Sequence, residues 1–200
     1  METIILIVLL LGALTVHEFA HAITAYKLGD GTPKMQGRVT LNPLAHLDPL
    51  GTLLLIVTVI TGFGFGWGKP VTFNPANLKN PKRDIGLVAA AGPLSNILLS
   101  VIAIVLIMLL KNTAPFLIGT LITFIVVNWV LAIFNLIPIY PLDGYNVLLS
   151  ALPHNLAEEF AQTARYGMIL LLILIFSGAT KILISPILGL LQNILVYVLY

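Results

Sequence analysis

The chain has 200 residues, of which 58% are hydrophobic and 9% are charged, and its mean hydropathy is +1.03. This composition lies far outside that of soluble globular domains and predicts an integral membrane protein embedded in the lipid bilayer. The net charge is only +2, and no basic cluster is interleaved with aromatic residues, which argues against nucleic acid as a partner. The chain contains no cysteine, so disulfides and thiolate metal sites are excluded.

A chain of this length accommodates about five or six membrane-spanning helices of ~20 residues each. We therefore expect an all-α polytopic membrane protein with a single membrane domain over residues 1–200, built from a core at 4–148 and C-terminal helices at 166–200. The first helix is predicted over 4–28 and ends at the glycines of LGDGTP. It lacks a basic amino-terminal region, so we interpret it as a retained helix rather than a signal peptide.

The region after the first helix is predicted to stay at the membrane surface. Residues 35–47 contain β-branched side chains in partial alternation, bounded by a glycine and a proline, which predicts a small β-hairpin. The apolar run at 50–60 is too short to span hydrocarbon and predicts a re-entrant segment. The glycine-rich stretch after it, which carries Phe63, Phe65 and Trp67, is typical of a loop in the membrane interface.

Two long helices are predicted next, at 84–110 with Asp84 as its N-cap, and at 116–136. An amphipathic stretch then leads into a final apolar region. That region has three candidate break points, which are Ser177, Gly178 and Pro186.

The HEFAH motif on the first helix carries the chemistry. His17 and His21 are spaced i and i+4, so their imidazoles project from one helix face and can share one metal ion, with Glu18 beside that face. In such an arrangement, zinc lowers the pKa of a bound water molecule and the glutamate accepts its proton. Ionisable groups within an apolar helix cost about 2.5 to 3.5 kcal/mol each, so three within five residues predict a compensating metal.

A catalytic zinc ion usually has three protein ligands, so a third ligand is needed from elsewhere in the chain. Asp143, in the PLDG segment that ends an apolar helix, is the first candidate, and His46 is its rival. Asp48 and His154 are weaker candidates. Alternatively, Asp143 serves only as the N-cap of the helix that follows it.

Three motifs, HEFAH, AAGPLSN and FNLIPIYPLDG, occur in this order and resemble the site-2 protease family of intramembrane zinc metalloproteases. The segments GRVTLNPLAHLDPLGT and GWGKPVTFNP resemble its compact bacterial and archaeal branch, which has neither PDZ nor CBS domains. The resemblance implies one zinc ion per chain, bound by His17, His21 and Asp143. It also implies that Glu18 is the general base and acid, and that Asn135 lines the site.

Four polar residues are weaker candidates for substrate contacts. Asn96 and Asn135 are amides in apolar surroundings and are suited to bind the substrate carbonyl or its developing oxyanion. His46 and Asn42 fall in the predicted hairpin, whose edge would pair with an unwound substrate segment.

These observations predict an intramembrane zinc endopeptidase that hydrolyses peptide bonds within or next to transmembrane segments of other membrane proteins. The alternative is a metal transporter or a non-proteolytic metal-binding membrane protein, which would use the same imidazoles to move or store an ion. Glu18 separates the two hypotheses, because a transporter needs no base beside two metal ligands.

The charge distribution predicts the orientation in the cell membrane. His21 and Asp143 both lie near carboxyl ends of helices, so these ends must face the same side. With a re-entrant 50–60 segment, eight of the ten cationic residues share that side, and Lys111 and Lys181 lie opposite. The positive-inside rule then makes the active-site side cytoplasmic. The eight are Lys27, Lys34, Arg38, Lys69, Lys79, Lys82, Arg83 and Arg165.

Overall fold

The computed structural model describes residues 2–62, 64 and 66–199, and within these residues every helix or strand element is a helix. The α-helices are α1 (Glu2–Lys27), α2 (Thr32–Met35), α3 (Pro49–Thr61), α4 (Pro81–Leu110), α5 (Ile118–Asn135), α6 (Asp143–Ala151), α7 (His154–Ala161), α8 (Ala164–Phe176) and α9 (Ala179–Leu199). Single turns of 3-10 helix occur at Pro43–Ala45, Pro75–Asn77 and Pro115–Leu117. The predicted all-α class is confirmed.

Four helical segments of the described chain are long and apolar enough to cross a membrane: Glu2–Lys27, Pro81–Leu110, Pro115–Asn135 and Ala179–Leu199. Helices α7 and α8 are bent by 64° at the break between them and provide a fifth span if they are counted together. The structure therefore has four or five candidate spans, whereas five or six were expected, and the two ranges agree only at five.

The three helices α1, α4 and α5 form the centre of the bundle. His17 and His21 of α1 contact Asn96 and Val88 of α4, respectively, so the two helices are antiparallel. Because a short connection leads from α4 back along α5, α1 and α5 run in the same direction. Thus α1 ends on the side of the bundle where α4 begins. The 13 residues of α3 extend about 20 Å, well short of a bilayer core of about 30 Å.

An apolar core cluster lies at one end of the bundle. A fully apolar cluster joins α4, α5 and α9, and it lies toward the end of α4 that is remote from Val88 and Asn96. Its buried members are Ala103, Ile107, Ile125, Leu191 and Leu195. The buried polar side chains lie in the second half of α1, in the loops at 30–46, on α4 at Asp84, Asn96 and Ser100, and on α5 at Asn128.

The β-hairpin predicted over 35–47 is wrong. Within the described chain this region shows only one isolated antiparallel bridge, between Leu47 and Gly68, with Lys69 N donating to His46 O at 2.8 Å. The side chain of Asn42 accepts a hydrogen bond from Leu44 N and starts a 3-10 turn. This cap and the following proline turn the chain where the hairpin would have needed an extended strand.

The start of α4 differs from the sequence prediction, and the C-terminal break matches one of the three candidate points. Helix α4 begins at Pro81, and Asp84 lies in its first turn, where its carboxylate accepts a hydrogen bond from Asn80 N at 2.9 Å. Proline is favoured at the first helical position because its missing N–H would be unpaired there. The C-terminal break falls at Gly178, with a φ of +75°, whereas Pro186 lies inside α9.

The predicted aromatic loop is described only in part. Phe63 and Phe65 lie outside the described residues. Trp67 is 37% exposed and packs on α3, where a Cβ atom at Gly51 would meet Trp67 O at 2.2 Å.

Candidate metal centre

Three ligand-type atoms from α1 and α6 meet at one point in the bundle. The Nε2 atoms of His17 and His21 are 3.1 Å apart, and Asp143 Oδ2 lies 3.1 Å and 3.3 Å from them, respectively. Both histidines are buried, at 3% and 7% exposure. Neutral imidazoles packed together without a bound ion would contribute little to stability. Two imidazole nitrogens and a carboxylate oxygen form a donor set typical of zinc.

The opposite ring nitrogens of both histidines are hydrogen-bonded to α4. His17 Nδ1 lies 2.7 Å from Asn96 Oδ1, and His21 Nδ1 lies 2.7 Å from the carbonyl oxygen of Val88. A carbonyl oxygen only accepts hydrogen bonds, so each Nδ1 carries the proton and each Nε2 keeps its lone pair. Such outer partners orient histidine ligands in metalloproteins.

Asp143 is placed by the start of α6. A Cβ atom at Gly144 would lie 2.1 Å from Leu136 O, so glycine at this position lets the first turn of α6 pack directly on the end of α5. The Asp143 side chain makes no capping hydrogen bond, and its buried Oδ2 has no hydrogen-bond partner within the described residues. The N-cap interpretation is therefore wrong, and the free Oδ2 beside two Nε2 atoms fits a metal ligand.

Helix α4 approaches the two imidazoles through Gly92. A Cβ atom at this position would lie 2.3 Å from His21 Nε2 and 2.6 Å from His17 Cε1. Contacts this short do not occur between real atoms, so any side chain at position 92 would displace the ligand atoms. The glycine of AAGPLSN therefore has a steric role at the metal centre.

We expect Gly92→Ala to lower zinc affinity by more than about 10-fold, because the new methyl group occupies the space taken by His21 Nε2 and His17 Cε1. Zinc affinity of purified protein, measured by competition with a chelator, checks this result. Gly119→Ala in α5 is the matched control, because nothing lies within 4 Å of its Cβ position. Equal zinc affinity in the two variants would contradict the steric role.

Glu18 lies beside the ligand cluster and is held from the opposite side by two loops. Its Oε2 accepts a hydrogen bond from Val71 N at 3.2 Å and lies 3.8 Å from Arg38 Nη2. Arg38 is 3% exposed and donates hydrogen bonds to the carbonyl oxygens of Ala45 and Lys69. Burial lowers the pKa of the Arg38 guanidinium, and the Glu18 carboxylate opposes that shift. Arginine remains charged under these conditions.

The rival third ligands do not reach this cluster. His46 is fully buried, and its Nε2 is hydrogen-bonded to Thr40 O at 2.8 Å. Asp48 caps α3 by accepting from Gly51 N, while His154 pairs with Glu158 on the surface. Among the described residues, the group of metal-ligating side chains that meets at one point consists of His17, His21 and Asp143.

The candidate substrate residues occupy different places. Asn96 is fully buried behind His17, and its Nδ2 donates to Asn128 Oδ1 at 2.8 Å and approaches Ala13 O at 3.4 Å. Its amide hydrogens are thus directed into the protein, which supports orientation of the ligand rather than an oxyanion contact. Asn135 is half-buried and donates to Leu131 O, and exposed Asn42 caps its 3-10 turn.

Two residues that lie at the metal centre, Asn128 and Arg38, are assigned no role there by the sequence analysis. Asn128 stands in the middle of an apolar helix, and an amide at such a position is itself a signal of a buried polar network. Arg38 is a single cation in a loop, and its burial beside Glu18 depends on tertiary packing that has no local sequence pattern.

Comparison with known proteins identifies the family. The model of "Peptidase family M50" matches residues 111–175, a region that contains Asp143. "Putative zinc metalloprotease YwhC" of Bacillus subtilis (strain 168) is 38% identical over 192 residues, which cover 92% of this chain and 85% of the relative. The chain belongs to peptidase family M50, the site-2 protease family. Its apolar helices and this membership make it a multi-pass membrane protein.

Two other relatives are less similar in sequence. "Putative zinc metalloprotease Rip2" of Mycolicibacterium smegmatis is 30% identical over 168 residues, which cover 84% of this chain and 64% of the relative. Its namesake in Mycobacterium tuberculosis (strain H37Rv) is 29% identical over 164 residues, which cover 81% and 62%, respectively. No solved structure matches the chain significantly.

Proposed function

We propose that this M50 protein is an intramembrane zinc endopeptidase that cleaves other membrane proteins within or next to their transmembrane segments. The observation that carries the proposal is the convergence of His17 Nε2, His21 Nε2 and Asp143 Oδ2 beside the carboxylate of Glu18. Membership of a family whose relatives are named zinc metalloproteases supports it. We treat the chain as one membrane domain, because the site combines residues from α1, α4 and α6.

The residues present fit one zinc ion. Three protein ligands leave the fourth tetrahedral position open, as in catalytic zinc sites. The two Nε2 lone pairs are available because both Nδ1 atoms are engaged by α4. When bound there, zinc supplies Lewis acidity, which makes water more acidic and polarises a peptide carbonyl.

Glu18 acts as the proton carrier in the proposed reaction. Its carboxylate takes the proton of the attacking water molecule and returns it to the leaving amine. The hydrogen bond from Val71 N and the nearby Arg38 guanidinium fix the orientation of the carboxylate, so it needs no rearrangement before proton transfer.

Substrate binding requires local unwinding, because a helical transmembrane segment hides its carbonyl groups in its own hydrogen bonds. Residues 69–73 run past Glu18 without helical structure, and Val71 lies next to the carboxylate. An unwound substrate segment that paired with this part of the chain would regain backbone hydrogen bonds lost on unwinding.

A metal transporter is the competing hypothesis. It would need a path along which metal ligands are exchanged, and the described residues contain one cluster of three ligands. It would also have no need for a buried glutamate held in a fixed orientation beside that cluster. The geometry therefore favours the hydrolase.

The test is cleavage of a panel of single-pass membrane proteins, reconstituted into liposomes, by purified wild-type protein and Glu18→Gln. The zinc content of both proteins is measured in parallel. Wild-type protein that binds zinc and cleaves no substrate at all would favour the transporter.

We further propose that the metal centre lies nearer the cytoplasmic side of the membrane. The ends of α1 and α5 face the same side, and eight of the ten cationic residues lie on that side when α3 does not cross. The positive-inside rule places such a side in the cytoplasm.

Cysteine labelling tests this orientation, because the chain has no native cysteine that would react. In intact cells, we expect an impermeant thiol reagent to label Asn112→Cys, in the exposed loop between α4 and α5, but not Lys34→Cys or Lys79→Cys. All three should react after permeabilisation. Labelling of Lys79→Cys without Lys34→Cys would show that α3 spans the membrane, and labelling of both would show the inverted orientation.

A further inference from the structure

A chain of buried amides connects α5 to the metal centre through α4. Asn128 and Asn96 are both 0% exposed. Asn128 Nδ2 donates to Phe124 O at 2.9 Å, and Asn128 Oδ1 accepts from Asn96 Nδ2 at 2.8 Å. Asn96 Oδ1 in turn lies 2.7 Å from His17 Nδ1.

The donor-to-acceptor direction of this series of hydrogen bonds is fixed at Phe124, the end remote from the metal centre. The main-chain carbonyl of Phe124 can only accept a hydrogen bond, so it must face the Nδ2 side of the Asn128 amide. The Oδ1 of Asn128 therefore faces Asn96, and the Nδ2 of Asn96 donates a hydrogen bond to it. Asn96 then presents Oδ1 to His17, and that oxygen requires a proton on Nδ1.

We propose that Asn128 is a positioning residue that sets the tautomer of His17 through Asn96, and thereby prepares His17 Nε2 to bind metal. The inference rests on the proposed zinc site. It assigns a role in the metal centre to α5, a helix that contributes none of the three ligands.

His17 and His21 have the same tautomer, with the proton on Nδ1, but their hydrogen-bond acceptors differ in kind. His21 donates to a main-chain carbonyl, whose orientation is fixed by the α4 backbone. His17 donates to a side-chain amide, which can rotate by half a turn and present a donor instead of an acceptor. Without Asn128, the contact from Asn96 Nδ2 to Ala13 O at 3.4 Å is the remaining hydrogen bond that resists this rotation.

The test uses purified full-length protein and three variants. Asn128→Leu removes both hydrogen bonds of the amide and keeps a branched side chain with the same number of heavy atoms. Asn128→Asp keeps an oxygen that accepts from Asn96 and, in its protonated form, a hydroxyl that donates to Phe124 O. Ser100→Ala is the matched control, because it removes a buried hydrogen bond to the Asn96 main chain and leaves the amide chain intact.

Two measurements are made on each variant: zinc affinity by chelator competition, and the ring ¹⁵N shifts of His17 in metal-free protein, which report its tautomer. We expect Asn128→Leu to weaken zinc binding about 10- to 100-fold and to shift His17 toward the Nε2–H tautomer. Asn128→Asp should recover most of the affinity, and Ser100→Ala should stay within about twofold of wild type. If Asn128→Leu does not give monodisperse protein, Asn128→Ala takes its place.

Unchanged zinc affinity and an unchanged His17 tautomer in the Asn128→Leu protein would overturn the proposal. An equal loss of affinity in Ser100→Ala would also overturn it, because packing alone would then explain the effect. If the wild-type protein itself bound no zinc, the proposed function would fail, and the tautomer of His17 in the metal-free proteins would still decide the role of Asn128.

Discussion

Replacing Glu18 by glutamine is expected to lower the cleavage rate by about 10²- to 10⁴-fold while zinc content stays at the wild-type level. The amide has the volume of the carboxylate, and its oxygen can still accept the hydrogen bond from Val71 N. It cannot take up the proton of the attacking water molecule. The substitution therefore removes the proton transfer and leaves the three ligand atoms in place.

Zinc content and single-turnover cleavage of a reconstituted substrate are the two measurements. Glu158→Gln, at an exposed position of α7, is the matched control and should cleave at the wild-type rate. Turnover by Glu18→Gln equal to that of wild type would eliminate Glu18 as the base. Loss of zinc together with activity would instead indicate that Glu18 holds the site together.

Asp143→Ala is expected to lower zinc affinity by more than about 100-fold and to abolish cleavage, because outer partners alone contribute about 10- to 100-fold to metal affinity. Asp143 Oδ2 is one of the three candidate ligand atoms, and two imidazoles alone would leave zinc without the usual set of three protein ligands. His46→Ala should keep zinc near the wild-type level, because His46 is bonded to Thr40 O and lies outside the ligand group.

Zinc content is measured for both variants after purification in the same detergent. Asp48→Ala is the matched control for removal of a carboxylate, since it eliminates the cap of α3 and should cost about 1 kcal/mol of stability without loss of zinc. Retention of zinc by Asp143→Ala together with loss of zinc by His46→Ala would identify His46 as the third ligand instead of Asp143.

The parts of the site that could be predicted from the sequence are those that depend on local geometry. The spacing of His17 and His21 on one helix fixes the relative position of two ligand atoms regardless of the rest of the fold. The apolar runs predict the long helices because each run is longer than about 17 residues. Asp143 could be ranked above His46 from its position at the end of a helix, but spacing alone left both candidates open.

The remaining parts depend on how the helices pack. The pairing of His17 with Asn96 needs the antiparallel arrangement of α1 and α4, which no local pattern specifies. Asn128 lies one helix further away, so its link to the site is visible only when α4 and α5 are placed together. The hairpin prediction failed because β-branched residues favour strands only where a partner strand exists. Among the described residues this segment has no long partner strand, and the Asn42 cap and Pro43 set its backbone.

The apolar cluster around Ala103, Ile107 and Ile125 gives the two ends of the bundle different resistance to water. At that end, alkyl groups exclude water and keep α4, α5 and α9 joined. At the other end, buried amides and imidazoles hold the helices by hydrogen bonds, for which entering water can compete. The proposed hydrolysis would require water and an unwound peptide to enter at the hydrogen-bonded site end, while the apolar cluster keeps α4, α5 and α9 joined at the other.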